Sequence, residues 1–120
     1  MSKEYDLGQI NSQAHNLLGR AQTDLSTAIE AYGLASDEFA ECEQRLRKAR
    51  ETAITRLREE KMPVTLILDI VKGMTSELKR DSMKAEGRIK KASHMIRAIE
   101  HRINSVKFLG RRIDDAANRS

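Results

Sequence analysis

The chain has 120 residues, of which 39% are apolar, 33% charged and 3% aromatic, with one proline, one cysteine, no tryptophan and a net charge of +4. That is the length of one domain, with no room for a catalytic domain beside a regulatory one. The scarcity of Pro, Gly and aromatics suits helical rods and bundles, and it excludes a β-sandwich, a barrel and a doubly wound α/β fold, which need strand and turn signals that are missing.

The N-terminal MSKEYDLGQI has neither the basic region nor the apolar core of a secretory signal. Cys42 is the single cysteine, so no disulfide can form within the chain, which suits a reducing compartment. The longest apolar run, Val64 to Val71, holds Thr65 and Asp69 and falls far short of the roughly 20 residues of a membrane span. The expected setting is the cytoplasm.

From about residue 9 to 61 the apolar and small residues keep a helical period. Ile10, Ala14, Leu17, Ala21, Leu25, Ala28, Tyr32, Ala35, Phe39, Cys42, Leu46, Ala49, Ala53 and Leu57 follow one another at steps of 3 or 4, which places them on one stripe of a helix. Consecutive steps of four at Leu17–Ala21–Leu25 and Ala49–Ala53–Leu57 are stutters that relax a left-handed supercoil. Gly33 costs about 1 kcal/mol against alanine, yet the stripe keeps its phase across it. One long helix is expected, although Ser36-Asp37-Glu38 also suits a fresh start.

Pro63 is expected to end that helix at Lys61 or Met62, since the residue before a proline avoids helical geometry. Residues 63–72 then read as a short helix, with proline in its first turn and Gly73 just past its end. The Val and Ile content would also suit a strand, but a lone strand between helices has no partner. The third segment, 75–117, opens on Thr75 or Ser76 as a cap, with Glu77 and Asp81 near the positive end of the helix dipole. Its stripe is Leu78, Ser82, Ala85, Ile89, Ala92, Ile96, Ile99, Ile103, Val106, Gly110, Ile113 and Ala117. Steps of 4 and 3 alternate strictly, a heptad seam, with Met95 and Leu109 flanking it.

The fold class expected from these elements is all-α: an antiparallel two-helix coiled-coil hairpin, its arms roughly 65–75 Å long, with a short apolar helix at the bend. The hairpin is thin and its seams are rich in small residues, so it should self-associate, most simply as a homodimer forming a four-helix bundle. The short helix is apolar nearly all round. Val64, Leu66, Ile67, Leu68, Ile70 and Val71 are its candidate oligomer or partner interface. With no flanking aromatic or polybasic anchors, such a helix would bind a membrane weakly.

Nothing in the sequence points to catalysis. His94 and His101 are seven apart, about 10 Å along a helix and too far to share a metal. Cys42 sits on the apolar stripe and reads as a buried hydrophobe. Glycines are scattered singly rather than in a phosphate-cradling loop, and Glu59-Glu60 and Asp114-Asp115 lie near helix ends, where solvated charge is the default. No catalytic residue, metal or cofactor is expected.

Charge is distributed unevenly, with net −2 over residues 1–61 and net +6 over 74–120. The surplus leaves two readings open. The cations can pair with Glu30, Asp37, Glu41, Glu43 or Glu51 across the hairpin. Alternatively Arg80, Lys84, Arg88, Lys91 and Arg97 form a face that follows a nucleic-acid backbone. Phe108 is the one aromatic in that segment, so no platform exists for stacking bases.

The stretch Ala53-Ile-Thr-Arg-Leu-Arg-Glu-Glu-Lys-Met-Pro-Val-Thr-Leu-Ile-Leu-Asp-Ile-Val-Lys-Gly73, followed by Glu77-Leu78 and by Glu86 through Ile103, resembles small uncharacterised helical proteins of phages and prophages of Gram-positive bacteria. They share a long helix, a Pro-x-Thr-Leu-Ile connector ending in Lys-Gly or Arg-Gly, and a second long helix rich in Ile and Leu. The resemblance covers about residues 45–110. Members are often encoded near replication, annealing or recombination genes. The resemblance implies a phage accessory role connected with DNA metabolism in a bacterial host cell, and it brings no catalytic residues. The functional expectation is a non-enzymatic assembly or adaptor protein. Its rivals are a nucleic-acid-binding accessory and an inhibitor of a host defence or replication protein.

Overall fold

The computed structural model describes the backbone of residues 7–119 and the side chains of residues 12–119. The fold is all-α: α1 (Leu7–Glu59), α2 (Val64–Met74) and α3 (Ser76–Asn118). The side chain of Ile10, and the first six residues of the chain, lie outside the described residues. By its packing the chain divides into two compact units, Met1–Ala31 with Ala92–Ser120, and Tyr32–Lys91.

α1 is one helix that runs through Gly33 without restarting at Ser36. It ends at Glu59, two or three residues before the proline-based expectation, because the chain closes it with a left-handed residue. Lys61 has φ 59°. Its N–H donates to the Arg58 carbonyl at 3.0 Å, and the Met62 N–H donates to the Leu57 carbonyl at 3.0 Å. This is a Schellman closure with Lys61 where glycine is usual, and Leu57 and Met62 belong to the same apolar cluster, as the motif favours. A side chain in that conformation costs about 1 kcal/mol. Lys61→Gly is therefore expected to stabilise the protein by about 0.5–1 kcal/mol in urea unfolding. No gain, or a loss, would mean that the Lys61 side chain makes a compensating contact.

Pro63 precedes α2 rather than beginning it. Its carbonyl accepts the N–H groups of Leu66 at 2.9 Å and Ile67 at 3.3 Å. Gly73 does not end α2, which continues to Met74 and closes on Thr75. Thr75 is buried, and both its N–H (3.0 Å) and its hydroxyl (2.7 Å) donate to the Val71 carbonyl. The threonine read as a cap for α3 thus works backwards on α2, and the Ser76 hydroxyl likewise donates to Gly73 at 3.1 Å. With the helix end satisfied by these side chains, no left-handed glycine is required.

Within the Tyr32–Lys91 unit, Ile67 and Val71 of α2 pack with Ala53 and Leu57 of α1, and Ile54, Met62 and Ile70 lie against them. Beyond this cluster the buried residues are Leu46 and the small Ala35, Thr75, Ser82 and Ala85. The Ser82 hydroxyl donates to Glu43, and Arg88 pairs with Glu38. A polar residue inside a heptad seam that finds one partner fixes the register of the pair. Within the other unit, Ala21 and Ala28 of α1 meet Ile99 and Ile103 of α3, with Leu18, Leu25 and Ile96 alongside. Arg102 pairs with Asp24 at 3.2 Å.

The α1 stripe needs two corrections, the first being that Tyr32 is 40% exposed. Leu17 is 54% exposed, and it is Leu18 that packs on the core. Leu18–Ala21–Leu25 has steps of 3 and 4, so the first stutter is not there, and the ordinary heptad alternation holds. The second, Ala49–Ala53–Leu57, falls where α1 takes up the contact with α2. Along α3 every seam position from Leu78 to Ile113 is buried or half-buried, whereas Met95 and Leu109 are exposed.

Candidate functional site

The six apolar residues of α2 do not share one fate. Ile67 and Val71 are buried under α1 of the same chain, and Ile70 is half-buried. Val64 is 79%, Leu66 49% and Leu68 65% exposed. The split follows from helix periodicity. Ile67 and Val71 are four apart on the inward face, whereas Val64 and Leu68, also four apart, form the next stripe round. An interface on α2 therefore has Val64, Leu66 and Leu68 to offer, and Ile67 and Val71 are committed to the internal core.

Exposed apolar residues are not confined to α2. Twelve large apolar side chains are exposed among the described residues, including Leu34, Met74, Met83 and Met95. In the unit built from Met1–Ala31 and Ala92–Ser120, a groove of about 470 Å³ runs between α1 and α3. Alanines, Met95 and Ile99 line most of it, and the Asp24–Arg102 pair lies at its edge. Met95 flanks the α3 seam in the sequence. It forms part of a groove wall, which shows that alanines opposite it are too small to cover it.

Of the basic residues read as one face, Arg80, Lys84, Arg88 and Lys91 lie in the Tyr32–Lys91 unit and Arg97 in the other. All are exposed. Arg88 is paired with Glu38, and among the described residues the other four have no ion pair. The carboxylates expected to neutralise them do not do so. Glu43 takes the Ser82 hydroxyl, and Glu41 pairs with Arg45 on its own helix at 3.9 Å. Among the described residues the acids that form ion pairs between helices are Glu38 and Asp24.

A second grouping of cations is formed by three helices together. In the Tyr32–Lys91 unit a cleft of about 530 Å³ is lined by Arg50 of α1, Lys72 of α2, and Ser76, Lys79, Arg80 and Met83 of α3. Only Arg80 belongs to the face read from sequence. Residues on three helices have no common spacing, so no single-helix pattern could have found this cleft.

His94 and His101 are exposed, and Cys42 is half-buried rather than fully buried. Among the described residues no three His, Cys, Asp or Glu side chains gather where they could hold a metal ion, and no helix is long and apolar enough to cross a membrane. No family model, no curated protein and no solved structure matches the chain.

Proposed function

We propose that this chain is a non-enzymatic assembly or adaptor protein that works by packing helices on helices. In this reading α1 and α3 run antiparallel as a coiled-coil hairpin with α2 at the bend, and two copies close into a four-helix bundle. The phage-like connector sequence adds an accessory role in phage DNA metabolism, carried out in the bacterial cytoplasm. The observation that carries the reading is the amount of uncovered surface. The accessible area is 9777 Å². A globular monomer of this 13.6 kDa mass would expose about 6,600 Å². Twelve large apolar side chains are exposed among the described residues, and stable dimers bury about 1,200–2,000 Å² or more in total.

Multi-angle light scattering at micromolar concentration tests it. The expected mass is at least twice that of the chain. Val64→Glu with Leu68→Glu, both on exposed positions, is expected to keep the helical content and shift the mass towards one chain. A monomeric wild-type protein under these conditions would contradict the reading.

A further inference from the structure

The cleft lined by Arg50, Lys72, Lys79 and Arg80 has an unbalanced charge. No carboxylate lines it, and among the described residues none of its four cations has an ion pair. Every other lining group leaves that charge uncompensated. The Ser76 hydroxyl is committed to the Gly73 carbonyl, and Met83 supplies an apolar wall. Glu77 and Asp81 on α3 form no ion pair with them. Four like charges brought together by three helices repel one another, and a fold tolerates that most easily when an anion offsets it.

The cations continue along the helix. On α3 the inward seam is Leu78, Ser82, Ala85 and Ile89. Opposite it, at steps of 4 and 7, stand Arg80, Lys84 and Lys91, with Lys79 beside them, Lys90 paired with Glu86, and the carboxylates Glu77 and Asp81 towards the flank. From Lys79 to Lys91 is about 18 Å at 1.5 Å per residue. A single small anion would fill the cleft and leave this track unused. A chain of phosphates matches both, because it carries one charge every few ångströms. At Gly87, in the middle of the track, a Cβ would meet nothing within 4 Å, so packing inside this chain does not require a glycine there.

We infer that the cleft of Arg50, Lys72, Lys79 and Arg80 seats the phosphate backbone of a nucleic acid, which then follows Lys84 and Lys91 along α3. Binding is expected to be weakly selective for base sequence, since no aromatic side chain lines the cleft to stack on a base and its cations are engaged by phosphates. This goes beyond the assembly reading and does not depend on it.

Fluorescence anisotropy of the full chain with labelled mixed-sequence single-stranded and duplex oligonucleotides, competed with polyglutamate, tests the inference. Micromolar binding is expected at 50 mM salt. Six phosphate contacts on a single strand, four in the cleft and two along α3, give a slope of about −4 in log affinity against log salt, or about 300-fold weaker binding at 200 mM. Lys79→Gln alone should reduce that slope by about 1. The quadruple variant Arg50→Gln, Lys72→Gln, Lys79→Gln, Arg80→Gln should lose at least 30-fold at low salt. A control of equal charge, Arg20→Gln, Lys107→Gln, Arg111→Gln, Arg112→Gln, should stay within 3-fold of wild type. Glutamine is a good helix former, and circular dichroism checks that both variants fold. Three results would each overturn the inference: no binding at 50 mM salt, equal losses in the two quadruple variants, or displacement of the oligonucleotide by polyglutamate at equal charge, which would point to an acidic protein instead. The single-strand and duplex arms identify which backbone is preferred.

Discussion

Ile67→Asp is expected to abolish cooperative folding of the Tyr32–Lys91 unit, whereas Leu68→Asp, one residue on, should leave it folded. Ile67 is 4% exposed among Ala53, Leu57 and Val71. Aspartate there loses the apolar contacts of a buried isoleucine, worth about 2–5 kcal/mol. It also places a carboxylate where no described side chain offers a partner, which adds several kcal/mol or forces the group to stay protonated. The sum approaches the whole stability of a small domain. Leu68 is 65% exposed, and a surface substitution of this kind falls within about 0.5 kcal/mol. Far-ultraviolet circular dichroism during urea unfolding separates the two. Equal effects would show that α2 does not seat on α1 through Ile67. Ile67→Asp is therefore unsuitable for probing an intermolecular surface, and Leu68 is the position to use.

The second large effect belongs to the other unit. Ile99→Ala is expected to destabilise it by about 2–5 kcal/mol, and the Ile99→Ala/Ile103→Ala pair by more. Both side chains face Ala21 and Ala28. Alanine offers little with which to refill a cavity, so the site collapses poorly, and the cost should lie in the upper half of that range. The pair contributes the bulk that α1 lacks here. Leu109→Ala, exposed at 57%, is the matched control and should change the melting temperature little. A loss below about 1 kcal/mol for Ile99→Ala would mean that the apolar cluster around it is not a cooperative core.

Much of the fold was legible because α3 repeats one simple pattern. Of the twelve positions its heptad picks out, Ser82, Ala85, Ala92, Ile99 and Ile103 are buried, six more are half-buried and Ala117 is exposed. α1 was harder to read because leucines stand at both 17 and 18. Periodicity alone cannot choose between neighbours, and the contact with α3 selects Leu18. The helix ends misled for a different reason. Gly73 is a conventional stop signal and Pro63 a helix breaker, but the local hydrogen bonds of Thr75 close α2 and the left-handed Lys61 closes α1, while Pro63 only caps the start of α2. Neither Thr75 nor Lys61 announces such a role in sequence.

The candidate surfaces were legible only in part. The apolar character of α2 was visible, yet which side of it α1 would cover depended on the approach of Ala53 and Leu57. The ion pairs were misassigned, since a long seam offers each cation several acids at similar register, and Glu38 and Asp24 are selected by geometry alone. The cationic cleft could not be read at all, because Arg50, Lys72 and Lys79 stand on three helices. Sequence spacing reports faces of one element, whereas a site between elements exists only once they have packed.

The central claim is that α1 and α3 pair antiparallel along their seams, and spin-label distances test it most directly. In a Cys42→Ser background, labels are placed at His15 and Arg111, which line one cleft, and separately at Glu41 and Lys84, which flank the Glu43–Ser82 contact. Labelled protein is diluted with unlabelled chain so that only distances within a chain are read. Neighbouring helices are about 8–10 Å apart, so with label arms both pairs should give distances below about 30 Å. Helix continuing without reversal between residues 15 and 111 would separate that pair by about 140 Å, and a distance beyond about 60 Å for it would contradict the account.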